Sequence, residues 1–186
     1  MRSMVESGQK KPNLYLIGFM GTGKSSIGRG LASRLDMTFI DSDHAIEENE
    51  GRSIPDIFAS EGEAHFRKLE KAFVENGHPD HGCIVACGGG LVTQPGMIDA
   101  IKSRGLVACL FAKPETILSR TAGNRNRPLL NVDNPEEKIR KLMAEREKFY
   151  LQAGLCMITD HRSMLEVISH LERYYQRESK KAKRSE

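Results

Sequence analysis

The sequence predicts an α/β fold, in which five parallel strands form one sheet covered by helices on both faces. Three observations lead there. Short apolar stretches alternate with helix-spaced amphipathic stretches along the whole chain. The apolar stretches lack the strict polar alternation of half-exposed strands, as fits strands buried on both sides. The first of them, Leu14-Tyr15-Leu16-Ile17, runs straight into the glycine-rich segment Gly18-Phe19-Met20-Gly21-Thr22-Gly23-Lys24-Ser25.

Strands are expected at 13–18, 37–41, 83–87, 106–111 and 155–159, and helices at 24–35, 43–50, 54–60, 61–76, 95–103, 114–121, 135–153 and 163–177. In the first helix Ile27, Leu31 and Leu35 recur at i, i+4 and i+8, with Ser26, Arg29, Ser33 and Arg34 between them. Met37-Thr38-Phe39-Ile40 is the second strand and ends in Asp41-Ser42-Asp43. Ser53 followed by Asp56 resembles a capping box and opens the helix at 54. Phe66, Leu69 and Phe73 stripe the next helix. The third strand, Cys83 to Cys87, empties into Gly88-Gly89-Gly90, and the fourth lies in the longest apolar run, Leu106 to Ala112. Residues 122–133 break regularity with Gly123, Asn124, Asn126 and Pro128, and carry Arg125 and Arg127. Asn134-Pro135-Glu136-Glu137 then supplies an N-cap, a proline at the first helical position and acids in the first turn.

At 186 residues the chain has the length of one domain. Its net charge of +3 is unevenly spread: residues 1–11 carry +2 and residues 177–186 carry +3, which leaves −2 for the rest. The basic balance therefore belongs to the ends and argues against nucleic acid as a partner. We expect residues 1–11 to be a disordered extension, 12–177 the folded domain with a lid at about 122–133, and 178–186 a basic tail. No apolar run reaches the length of a membrane span, and the N-terminus has no signal-peptide core. Cys83, Cys87, Cys109 and Cys156 include no C-x-x-C pair and sit mostly in strand-like runs, as suits reduced, buried thiols in a cytoplasmic protein. His78, His81, Cys83 and Cys87 are close in sequence, but their spacing matches no structural zinc pattern. There is no internal repeat and no low-complexity linker.

Ligands of such sheets bind beyond the carboxyl ends of the strands. The segment 18–25 fits the phosphate-binding pattern G-x-x-x-x-G-K-[ST], in which backbone amides cradle phosphates, the lysine reaches the outer phosphates and the hydroxyl ligates magnesium. Asp41 and Asp43, two apart at the end of an extended segment, are expected to project to one side. One carboxylate would help hold the metal and the other would accept the proton of an attacking hydroxyl. Asp43 could equally cap the following helix. The triplet Gly88-Gly89-Gly90 is costly to order unless something approaches its backbone closely, and its amides could hold substrate.

Arg146 falls in the middle of the apolar stripe Ile139, Leu142, Met143, Phe149 and Tyr150. A guanidinium facing inward there needs an anionic partner, and either a structural acid or a substrate anion would serve. Arg67 borders its own apolar stripe with Glu63 and Glu70 one turn to either side, which could hold it towards a ligand carboxylate or simply pair on the helix surface.

Together these residues resemble the shikimate kinase family. The likeness rests on the glycine loop ending Gly23-Lys24-Ser25, the Asp41-x-Asp43 pair, Gly62-Glu63 leading to Phe66-Arg67, the glycine triplet, Arg127-Pro128-Leu129-Leu130 and Arg146. These motifs span about residues 13 to 160 in the family's order. The resemblance implies a P-loop three-layer fold with sheet order 2-3-1-4-5, and ATP-dependent phosphorylation of the shikimate 3-hydroxyl with Mg2+. It implies that Gly21, Thr22, Gly23, Lys24, Ser25, Ser26, Arg120 and Arg127 serve the nucleotide, with Arg120 on the adenine side and Arg127 closing with the lid. Ser25 and Asp41 would serve the metal. Asp43, Arg67, Gly89, Gly90 and Arg146 would hold shikimate, with the two arginines on its carboxylate. Lys24, Asp43 and Arg127 would be catalytic, a role for Asp43 as base staying open beside one in orienting the hydroxyls. A monomer with shikimate and ATP as its partners is expected. Residues 160–163 lie where the family places adenine contacts, but their pattern is loose and assigns none. The alternatives are another small-molecule kinase of this architecture, such as gluconate kinase, and a nucleotide-binding regulatory module that has lost catalysis.

Overall fold

The structure, a computed structural model, describes residues 11–122 and 132–182. Its elements run in the order β1 (Asn13–Ile17), α1 (Lys24–Leu35), β2 (Thr38–Asp41), α2 (Ser42–Glu50), α3 (Ile54–Asn76), β3 (Cys83–Ala86), a 3-10 turn (Leu91–Thr93), α4 (Met97–Arg104), β4 (Gly105–Phe111), α5 (Pro114–Thr121), α6 (Pro135–Tyr150), β5 (Leu155–Ile158) and α7 (Met164–Ala182). The five strands form one parallel sheet in the order β2-β3-β1-β4-β5. The central strand β1 pairs with both β3 and β4, Leu16 standing opposite Ala86 on one side and Ala108 on the other.

All five residues of β1 are buried, and Leu14 to Ile17 divide between two apolar layers. Tyr15 and Ile17 join Val85, Val107 and residues of α3, α4 and α6 on one face of the sheet. Leu14 and Leu16 join Ile84, Ala108, Leu110 and residues of α1 and α7 on the other. Carbon is therefore needed on both faces from Leu14 to Ile17, which is why the sequence there does not alternate, while the buried Asn13 side chain is satisfied by Pro79 O and Cys83 N. Each fully buried Leu or Ile contributes about 1.5–3 kcal/mol. This layering fixes the carboxyl ends of β1, β2 and β3 side by side.

Element boundaries follow the expected ones to within two residues except at α3, α6 and α7. The two helices expected at 54–60 and 61–76 meet without a loop at Gly62, whose φ of 79° and ψ of 176° break α3 into two arms. The capping box at Ser53 is present, its hydroxyl accepting from Asp56 N. α6 ends at Tyr150 rather than 153, because the next residues tighten into i→i+3 bonds from Gln152 N to Phe149 O and from Ala153 N to Tyr150 O. α7 runs five residues past its expected end at 177, with Lys180 and Lys181 in its last turn, where the helix dipole favours cations. Only 183–186 of the expected tail lie outside the described residues.

Lys11 was grouped with the extension but is tied to the fold. Its ammonium donates to the carbonyls of Leu35 and Asp36 at 2.8 and 2.7 Å, closing the carboxyl end of α1. Residues 1–10 and most of the expected lid, including Arg125 and Arg127, lie outside the described residues. Cys83, Cys87 and Cys109 are buried, whereas Cys156 on the edge strand is exposed. His78 packs against the rings of Tyr15 and Phe73, and its Nδ1 lies 2.9 Å from the Pro79 carbonyl. Among the described residues no helix is long and apolar enough to cross a membrane.

Candidate active site

The loop between β1 and α1 wraps the amino end of α1. Gly18 has a φ of 133°, and a Cβ there would overlap the Leu110 carbonyl of the neighbouring strand, so only glycine fits. The Lys24 ammonium donates to the carbonyls of Gly18 and Phe19, both at 2.9 Å. Thr22 is buried and its hydroxyl donates to Phe19 O at 2.8 Å, which braces the loop from within. No side chain caps α1, so the first amides of that helix are left for an anion.

The Ser25 hydroxyl donates to Asp41 Oδ2 at 2.7 Å, joining α1 to the end of β2. Asp41 is also the N-cap of α2, its Oδ1 accepting from Asp43 N at 3.2 Å. This corrects the sequence expectation in two respects. Asp43 lies in the first turn of α2 and not in an extended segment, and the capping role falls to Asp41. A capping carboxylate at the strand end leaves no room for a linker, so the helix begins at once. Both carboxylates nevertheless line the same cleft.

The glycine triplet forms the opposite wall. Gly88 N donates to Ser42 Oγ at 2.8 Å, so this amide is already engaged by α2. A Cβ on Gly88 would overlap Asp43 Oδ1 and come within 3.0 Å of Glu70 Oε1. At Gly90 a Cβ would lie 2.7 Å from both terminal nitrogens of Arg67. The close approach that the triplet permits is thus made by the site's own charged side chains.

Arg67 is held as its spacing suggested, by Glu63 at 2.6 and 3.1 Å and by Glu70 at 2.7 Å. Glu70 also accepts from Gln94 Nε2 at 2.8 Å, while its other oxygen, Oε1, is buried with no hydrogen-bond partner. Burial pushes the Glu70 carboxyl up to about 7, against the opposing pull of Arg67. Burial also raises the Asp43 carboxyl, assisted by the neighbouring Asp41 charge and opposed by Lys24. Arg146 is 9% exposed and donates to the Gly89 carbonyl at 3.2 Å, with its guanidinium 5.6 Å from the Phe19 ring. Among the described residues no carboxylate pairs with it.

Arg120 reaches from α5 to the loop, donating to Gly21 O at 3.2 Å and Thr159 Oγ1 at 3.3 Å. One cleft of about 370 Å³ is lined by Gly21, Gly23, Lys24, Ser25, Ser26, Asp41, Asp43, Gly88, Gly89 and Arg120. Arg67, Gly90 and Arg146 are not among the residues lining that cleft; Arg67 lies against Gly90, and Arg146 is bonded to the Gly89 carbonyl. In the turn at 160–163, Asp160 is spent on Lys113 N and on the Thr116 hydroxyl. Sequence reasoning missed Ser42, which hides between two carboxylates, and Tyr150, whose hydroxyl donates to Gly89 O at 2.6 Å. Tyr150 counts as apolar in a helical stripe, and only its i+4 spacing from Arg146 hints at a shared target.

The family model for shikimate kinase matches residues 20–176. The shikimate kinase of Thermoanaerobacter pseudethanolicus is 46% identical over 138 residues, covering 74% of this chain and 81% of that one. That of Thioalkalivibrio sulfidiphilus is 43% identical over 169 residues, covering 90% and 89%. Among solved structures, the shikimate kinase of Acinetobacter baumannii in complex with shikimate has a TM-score of 0.86 at 38% identity, covering 90% of this chain and 94% of that one. A gluconokinase from Sinorhizobium meliloti, at 13% identity and a TM-score of 0.64, shares the fold alone. The sheet order agrees with these likenesses, and the chain belongs to the shikimate kinase family.

Proposed function

We propose that the cleft is a two-substrate site, with ATP on the glycine loop and shikimate against α2, α3, the glycine triplet and α6. As a shikimate kinase, the chain transfers the γ-phosphoryl group of ATP to the 3-hydroxyl of shikimate, giving shikimate 3-phosphate and ADP. The observation that carries the residue assignment is Arg146, a buried guanidinium beside the triplet that forms no ion pair among the described residues, although its charge is felt at Glu70. A small carboxylate substrate supplies the missing anion, and Arg67, held rigid by Glu63 and Glu70, grips it from the other side.

In this reading the amides of Gly21 to Ser26 and the Lys24 ammonium hold the phosphates. Lys24 exchanges its contacts with the loop carbonyls for phosphate oxygens. The Asp43 carboxylate receives the 3-hydroxyl and orients it; its raised proton affinity suits it to take the proton as the oxygen attacks. The oxygen–phosphorus bond forms as the bond from phosphorus to the bridging oxygen breaks, and ADP leaves with that electron pair. Gly89 and Gly90 line the acceptor pocket and Arg120 flanks the adenine side; Arg127, outside the described residues, is assigned to the phosphates. Ser25 and Asp41 fit Mg2+: they offer hard oxygen donors already 2.7 Å apart in the cleft, and such an ion takes its remaining ligands from phosphate and water. The bound ion would neutralise charge on the phosphates.

We take the chain to act as a cytoplasmic monomer, with residues 12–177 as the catalytic domain and no nucleic-acid or membrane partner. The acidic balance between its ends argues against a nucleic-acid partner. ADP release measured with shikimate, quinate and gluconate tests the reading; release that is equal for all three, or absent with shikimate, overturns it.

A further inference from the structure

We propose that Tyr150 is a positioning residue for the acceptor substrate, acting through the Gly89–Gly90 peptide; this rests on the placement of shikimate against the glycine triplet argued above. Tyr150 is the last residue of α6, one turn beyond Arg146, and is 2% exposed. Its hydroxyl donates to Gly89 O at 2.6 Å, and the same oxygen accepts from Arg146 at 3.2 Å. Phe111 packs edge-on against the ring, at 6.1 Å between centroids and 83° between planes, while the hydroxyl takes its direction from its own bond to Gly89 O. Burial pushes the phenol up to about 12, so it remains a donor throughout the neutral range.

The consequence lies on the other side of that peptide. The bond is trans, so the Gly89 carbonyl and the Gly90 N–H point in opposite directions. Two successive glycines otherwise let such a peptide plane flip at little cost. With Gly89 O held towards α6, the Gly90 N–H is aimed away from α6, and it has no acceptor among the described residues. Gly90 in turn lies directly under the Arg67 guanidinium. One hydroxyl thereby sets the direction of a free amide donor and helps anchor the carbonyl that steadies Arg146. Tyr150 itself touches no substrate in this arrangement.

The test compares Tyr150→Phe with Phe111→Leu and with the unaltered chain. Removing the hydroxyl should raise the shikimate KM about 5–10-fold, with kcat and the ATP KM within about twofold. Phe111→Leu, which loosens the ring's packing and leaves the hydroxyl, should lower Tm with the shikimate KM within about twofold. A Tyr150→Phe enzyme with unchanged shikimate KM overturns the proposal, as does a Phe111→Leu enzyme whose KM rises equally. Independently of any variant, shikimate should slow hydrogen exchange of the Gly90 amide in the unaltered chain, and no change there also counts against it. Failure of the unaltered chain to use shikimate at all would instead remove the acceptor reading on which the proposal stands.

Discussion

Asp43 and Glu70 approach Gly88 from two different helices, so that a Cβ there would overlap Asp43 Oδ1 and lie 3.0 Å from Glu70 Oε1, and a side chain enters only by pushing Asp43 aside. Gly88 shows no left-handed φ, so its backbone would accept alanine and the cost of a side chain is steric. Gly88→Ala is expected to displace Asp43 and lower kcat by about 100-fold, as misplacement of a reacting group by an ångström can do. Overpacking should cost about 1–3 kcal/mol in stability. Shikimate-dependent ADP release and thermal unfolding measure the two effects, and a fully active variant would contradict the geometry.

Asp43→Asn keeps the shape of the side chain and removes its charge. Its kcat should fall by about 10²–10⁴-fold, the usual contribution of a positioned general base. The ATP KM should stay within about threefold, because Asp43 is not among the residues assigned to the nucleotide. Steady-state kinetics with both substrates varied separate these; proportionate losses in kcat and ATP affinity would exclude the assigned role.

Glu70 makes a pH-dependent contribution whose sign is fixed. Burial raises its carboxyl from 4.5 to about 7 in the folded chain. Between those values the folded state keeps a proton that the unfolded state has lost, so stability falls as pH rises from about 4.5 through 7. The full span is on the order of 3 kcal/mol. Glu70→Gln removes the titration, and its Tm should decline less steeply than that of the unaltered chain between pH 5 and 8. Parallel curves in the two proteins would show that Glu70 is not the group responsible.

Gly62 holds the bend between the two arms of α3, with φ 79° and ψ 176°, and nothing lies within 4 Å of where its Cβ would be. Gly62→Ala therefore isolates backbone strain of about 1–3 kcal/mol. For a chain of this length that corresponds to a loss of roughly 3–10 °C in Tm. The adjacent Glu63 anchors Arg67, so the shikimate KM should rise as well. An unchanged Tm would mean that the bend tolerates a side chain.

Much of this was legible in the sequence because it is local. The strands are contiguous apolar runs, the phosphate loop has fixed internal spacing, and Arg67 finds Glu63 and Glu70 at helical distance. Arg146 was visible as a charge out of place in a stripe. What could not be read joins distant segments. The meeting of Asp43, Glu70 and Gly88 depends on how α2 and α3 settle against the end of β3. Tyr150 looked like core until its hydroxyl was seen against Gly89. At the junction of β2 and α2, pattern alone offered Asp43 as the cap, and the earlier start of the helix gives that place to Asp41. The charged run after 177 resembled a loose end because composition outweighs helical continuity when no apolar face remains. Lys11 was misplaced for a similar reason, its partners lying more than twenty residues away at the end of α1.

The pairing of β1 with β3, which sets Leu16 opposite Ala86, makes the sheet a ruler for the reaction. The phosphate loop departs from one strand and the glycine triplet from the other. A slip of one residue between them would shift donor against acceptor by about 3.3 Å, as large as the whole gap across which a nucleophile attacks. The alignment of the two substrates is therefore calibrated by backbone hydrogen bonds in the dry centre of the molecule, out of reach of counterions. Changes in ionic strength should alter how tightly the charged substrates are held while leaving untouched the distance over which the phosphoryl group travels.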